Sequence, residues 1–180
     1  MLSIKDYNQA EQNGKLACTN EQIEYSTPVI FNQTGYPVRI QDERELVRYY
    51  DEMHAGRMKN DIEYMMRGLT IEEYEILVSI TKIANKYIKK EFGKNITPKG
   101  SLIAAMYARR LIKILFDNSN DLNCLEIGPG CGYLGSLLLK NGCRYTAHDI
   151  TQVFYLLQNR NYEILGGVKP VELLEVDSLK

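Results

Sequence analysis

Leu125-Glu126-Ile127-Gly128-Pro129-Gly130-Cys131-Gly132-Tyr133-Leu134-Gly135 is where the chain changes character. A short apolar run, Leu122 to Ile127, reads as a strand that carries an acid near its end. Three alternate glycines follow, and a helix is expected from Tyr133 to Lys140. Glycine reaches backbone angles closed to other residues, and its missing side chain lets a ligand touch the main chain. Free amides at the start of the next helix then face that ligand.

Outward from this turn, the pattern alternates. Asn141-Gly142 closes the helix, and Cys143-Arg144-Tyr145-Thr146-Ala147 reads as a second strand. Thr151 to Leu165 reads as a second helix, stopped by Gly166-Gly167. Val171-Glu172-Leu173-Leu174-Glu175-Val176 reads as a third strand. Strand, helix, strand, helix, strand predicts an α/β arrangement with a parallel sheet. Asp149 stands at the end of the second strand, where acids in nucleotide-binding sheets accept hydrogen bonds from ribose hydroxyls. His148 beside it belongs to the opposite face by alternation, which predicts a surface or packing role.

Glu126, Gly128, Gly130 and Gly132 resemble motif I of class I S-adenosylmethionine (SAM)-dependent methyltransferases, an acid followed by G-x-G-x-G. The resemblance implies SAM as cofactor, with the glycine turn against its methionine part. It implies that Glu126 orients the amino group, that Asp149 holds the ribose, and that Ile150 lies near the adenine. The segment from Asp149 to Asn159 is also similar to the region after the second strand in bacterial proteins classed as sugar O-methyltransferases. The implied partner is therefore a small-molecule methyl acceptor, a sugar or a similar hydroxyl compound. Residues 1–117 carry no such motif.

Two other readings compete. Gly130, Gly132 and Gly135 also fit the dinucleotide fingerprint G-x-G-x-x-G, which would make the chain part of an NAD- or FAD-binding oxidoreductase. That reading runs a strand into Gly128-Pro129, and both residues break strands. It also sets the Glu126 carboxylate beside a pyrophosphate. The second alternative is a SAM-binding module without turnover.

A class I methyltransferase core has seven strands, and the 180 residues leave room for about three. The expected fold is thus a partial Rossmann-like sheet preceded by a helical region. The expected organisation is residues 1–117 as a mainly helical lid or substrate region, and 118–180 as the first half of a SAM-binding domain. The chain is expected to be a truncated form, a fragment or a degenerate homologue. No catalytic residue is assigned and no metal site is expected. Of the two histidines, His54 is expected at the surface of a helix end.

The helical expectations rest on capping and periodicity. Residues 1–40 read as irregular, with one short helix near the start. Asp42 is positioned to cap a helix ending near Gly56, and Asn60 or Asp61 to start another ending near Gly68. Thr70-x-x-Glu73 fits a capping box. The helix behind it carries Tyr74, Leu77, Ile80 or Thr81, Ala84, Tyr87 and Ile88 as an apolar stripe. Thr97-Pro98 opens a helix whose apolar members are Leu102, Ile103, Met106, Leu111, Ile114 and Leu115. Tyr36, Tyr49, Tyr50, Tyr74 and Tyr107 are candidates for a lid over the cofactor, with core packing as the plain alternative.

Composition sets the outer limits. Hydrophobic residues make up 44% and charged residues 25%, with a net charge of -1, a soluble globular profile. A balanced charge argues against nucleic acid or an anionic membrane as an obligatory partner. No apolar run approaches the roughly 20 residues of a membrane span. Cys18, Cys124, Cys131 and Cys143 lack metal-ligand spacing, which predicts reduced thiols and a cytoplasmic protein. Homo-oligomerisation stays open.

Overall fold

A computed structural model describes residues 1–16, 40–55, 59–98, 100–116, 121–149 and 151–171. Seven helices and two strands lie within them: α1 Ile4–Leu16, α2 Glu43–Ala55, α3 Lys59–Met66, α4 Ile71–Phe92, α5 Gly100–Leu115, β1 Asn123–Ile127, α6 Tyr133–Lys140, β2 Arg144–His148 and α7 Gln152–Ile164. Tyr36, Ile150 and the expected strand residues 172–176 lie outside the described residues. Val171 is described and belongs to no strand.

The helices begin where side chains can satisfy free amides. Ser3 and Asp6 cap α1 reciprocally: Asp6 N donates to Ser3 Oγ at 3.1 Å, and Ser3 N to Asp6 Oδ2 at 3.1 Å. Asp42 Oδ1 accepts from Arg44 N at 2.8 Å and Glu45 N at 3.1 Å at the head of α2. Thr70 and Glu73 form the expected capping box, and Gly93 ends α4 in the left-handed conformation at φ +66°. Glu73 has a further task. Its buried carboxylate accepts from Arg110 Nε at 2.7 Å, which ties α4 to α5 and lowers the carboxyl to about 2.

The stripes need two corrections. Tyr74 is 48% exposed; the buried face of α4 is Leu77, Ile80, Ala84 and Ile88. On α5, Leu102, Ile103 and Met106 are buried, but Leu111, Ile114 and Leu115 are 57%, 69% and 65% exposed. The helix keeps its apolar surface for its whole length, while its packing partners cover only the N-terminal part.

β1 and β2 pair in parallel, with Glu126 opposite Ala147 and Ile127 opposite His148. Parallel neighbours need a crossover, and α6 supplies it. Cys124, Glu126, Tyr145 and Ala147 alternate onto the half-buried face, against α6 and α7. Leu125 and Ile127 point the other way and are exposed. Among the described residues the architecture is helix-rich α/β with a two-stranded parallel sheet. One hydrophobic cluster runs through α2, α4, α5, α6 and α7 and so draws on both sides of the expected boundary at residue 117. No helix among the described residues is long and apolar enough to cross a membrane.

The corrected face of α5 makes a direct contrast. Leu102→Ala should cost about 2–5 kcal/mol in urea unfolding, because the side chain is fully enclosed. Leu111→Ala should stay within about 0.5 kcal/mol of wild type. Equal losses from both would mean that the C-terminal half of α5 is packed.

Candidate cofactor site

The site lies where both strands end. Gly128 N donates to His148 O at 2.8 Å and carries the ladder one residue past β1. The chain then turns through Gly128, Gly130 and Gly132, all with positive φ: +70°, +58° and +72°. Gly132 N donates to Pro129 O at 2.9 Å and closes the turn against the head of α6. In parallel sheets, ligands collect in the crevice beyond the carboxyl ends of the strands.

The three glycines do two different things. A Cβ at Gly128 or Gly130 would meet no atom within 4 Å, so their bare backbone faces open space. A Cβ at Gly132 would lie 2.7 Å from the Tyr162 ring and 2.8 Å from Gln158 Cβ, so α7 occupies the volume. Gly135 is a packing glycine too, since a Cβ there would collide with the Tyr145 ring. In the dinucleotide fingerprint the third glycine packs helix on strand, and Gly135 does so. The second must admit the pyrophosphate, however, and Gly132 is closed by α7.

A cleft of about 300 Å³ opens in front of Gly128, Pro129 and Gly130. Its far wall is a small-residue face of α5, Ser101, Ala104, Ala105 and Ala108, and Glu126 lies in its lining. Burial pushes the Glu126 carboxyl above its usual range, and a hydrogen bond from Tyr145 partly offsets this. Tyr145 Oη donates to Glu126 Oε2 and sits 3.2 Å from Tyr162 Oη, which donates to Gln158 Oε1 at 3.0 Å. None of these three partners is visible as a site residue in the sequence; the nearest signal is the helical spacing of Gln158 and Tyr162 on the helix after Asp149.

Asp149 follows β2 and is half-buried. It directly follows His148, whose carbonyl accepts from Gly128 N, but it is not among the residues that line the cleft. Asp149 Oδ1 also accepts from Thr151 N at 3.0 Å and Thr151 Oγ1 at 3.1 Å, an Asx turn leading into α7. The carboxylate therefore has a local structural role that the strand-end reading did not foresee. Cys131 is buried in the turn and its thiol is pushed up to about 12, chiefly by burial, so it is no nucleophile at neutral pH. His148 is exposed on the opposite face, as alternation predicts. Ile150 lies outside the described residues.

The helical wall differs from the expected aromatic lid. Tyr49 and Tyr50 are buried in the core, and Tyr107 Oη donates to Met65 O at 2.6 Å. None of the described lid candidates lines the cleft. His54, expected at the surface, is buried in a ring of hydrogen bonds joining α2 to α6. The Tyr50 carbonyl can only accept, so His54 Nδ1 carries the proton. Nε2 then accepts from Tyr133 Oη at 2.7 Å, and Tyr133 accepts from Tyr50 Oη at 2.7 Å. Tyr133 directly follows Gly132, so this ring braces the head of α6.

Compared with protein-family models, curated proteins and solved structures, the chain matches none.

The glycine division gives the first site prediction. Gly130→Ala should cost about 1–3 kcal/mol of backbone strain and leave a folded protein. Gly132→Ala adds a collision with α7 to the same strain and should be the more destabilising by more than 1 kcal/mol in urea unfolding. A second prediction concerns His54. Burial lowers its pKa below the ordinary 6.5, against smaller opposing effects of the hydrogen bond to the Tyr50 carbonyl and of Asp51. The unfolded chain therefore takes up the proton first, so stability is full above pH 6.5 and falls as the pH drops below it. Urea midpoints at pH 7.5 and 5.5 should differ more in wild type than in His54→Gln.

Proposed function

We propose that the chain binds SAM at the glycine turn and belongs to a methyltransferase of the class I type. The reading extends to transfer of the methyl group to a small-molecule hydroxyl, such as that of a sugar. The observation that carries it is the bare backbone of Gly128 and Gly130 beside Glu126 in one cleft, at the carboxyl ends of parallel strands. A carboxyl held in a partly buried wall favours a ligand that brings a cation, and the amino group of SAM is one. The resemblance of motif I supports the same ligand. The closed position of Gly132 disfavours the dinucleotide alternative.

Methyl transfer from a sulfonium is a direct displacement, so the protein's main task is to position donor and acceptor. An alcohol acceptor calls for a general base. No described residue is assigned that role, which keeps a SAM-binding module without turnover as the second reading. Transfer of a labelled methyl group from SAM to sugar hydroxyls would separate the two.

Calorimetry on the chain should detect SAM and S-adenosylhomocysteine, with NADH weaker than both; tighter NADH binding would overturn the assignment. Asp149→Ala should weaken both SAM ligands by about 10- to 150-fold through loss of a charged hydrogen-bond partner. It should also cost roughly 1 kcal/mol of stability, because the Asx turn at α7 goes with it. Asp149→Asn should keep that turn and show the binding loss in smaller measure.

A further inference from the structure

We propose that Tyr145 is a positioning residue, whose hydroxyl holds the Glu126 carboxylate in a fixed orientation in the cleft through a hydrogen bond to one of its oxygens; as a statement about ligand binding, this rests on the SAM reading. The ring of Tyr145 is wedged in place. It fills the space left by Gly135 on one side and meets the Tyr162 ring edge-on, at 5.4 Å between centroids, on another. A hydroxyl on so constrained a ring has little freedom of direction. It donates to Glu126 Oε2 and has Tyr162 Oη at 3.2 Å behind it.

Glu126 has two oxygens, and Tyr145 engages one of them. The other stays available for the cation of a ligand in the cleft. A carboxylate turning freely about its last bond would present either oxygen or neither. The same hydrogen bond favours the ionised form, against the burial that opposes it. Among the described residues, few titratable groups face this pair. Tyr145 comes from β2, Tyr162 from α7 and Cys124 from β1 itself. The Asp149 charge also acts on Tyr162. All of these are neutral or acidic, and among the described residues Tyr145 is the group whose hydrogen bond favours ionisation of Glu126.

Tyr145→Phe removes the hydroxyl and keeps the ring, so the packing against Gly135 and Tyr162 survives. Carbon-13 NMR of labelled glutamate should show Glu126 titrating at higher pH in the variant than in wild type. Binding of S-adenosylhomocysteine should weaken about 3- to 10-fold at neutral pH. The acid limb of its pH profile should move upward with the Glu126 titration. A merely structural role would lower stability and leave that limb where it was. An unchanged Glu126 titration overturns the proposal, whatever the binding data show. A shifted titration in a protein that binds no S-adenosylhomocysteine supports the Tyr145–Glu126 coupling and overturns the SAM reading instead. A wild-type measurement guards against a variant that does not fold. The Tyr145 Cζ resonance should follow the Glu126 midpoint, and its failure to do so also overturns the proposal.

Discussion

The closure of α7 onto Gly132 is the constraint from which the rest of the site follows. A side chain at that position would stand where Tyr162 and the Gln158 backbone and side chain now lie. With none there, α7 comes close enough for Asn161 to donate to Cys131 O at 2.8 Å and hold the turn from behind. Tyr162 reaches Tyr145, and through it the strand acid. α7 is itself anchored at a distance. Arg160 donates to both oxygens of Glu43 at 2.7 and 2.8 Å, and Gln152 accepts from Ile40 N at 2.8 Å while donating to Asn8 at 2.6 Å. A bidentate arginine pair fixes angle as well as distance, so α1 and α2 set where α7 lies.

The helical segments and the turn were legible for local reasons. Capping by Asp42 and by Thr70 with Glu73 depends on neighbours three residues away, and the sequence contains both partners of each pair. The strand–turn–helix at Glu126 to Tyr133 is likewise encoded within a dozen residues. Burial was less legible, because it depends on what arrives from elsewhere in the chain. Leu111, Ile114 and Leu115 continue an apolar stripe that nothing described covers, and Tyr74 sits one step off the line that does pack. His54 gave no sign of burial, since its partner Tyr133 is 79 residues away.

The site divided in the same manner. Gly128, Gly130 and Glu126 line one cleft, whereas Asp149 is not part of its lining and is tied to Thr151. The division of labour among the glycines could not be read from spacing. Gly132 and Gly128 look alike in sequence and differ only in what stands opposite them. The partners of Glu126 come from β2 and α7, and long-range side-chain networks leave no periodic trace.

The bare side of β1 has a consequence for how the folded protein behaves in dye assays. Leu125 and Ile127 are 66% and 78% exposed on one strand face. Phe116 and the last turn of α5 add more apolar surface in open solvent. Anilinonaphthalene dyes fluoresce on such surfaces, and their signal is commonly taken as the mark of a molten globule. In this chain such surface is part of the ordered structure, so dye fluorescence would not by itself report loss of packing. Loss of packing is better followed by near-ultraviolet circular dichroism, which the enclosed rings of Tyr50, Tyr133 and Tyr162 supply.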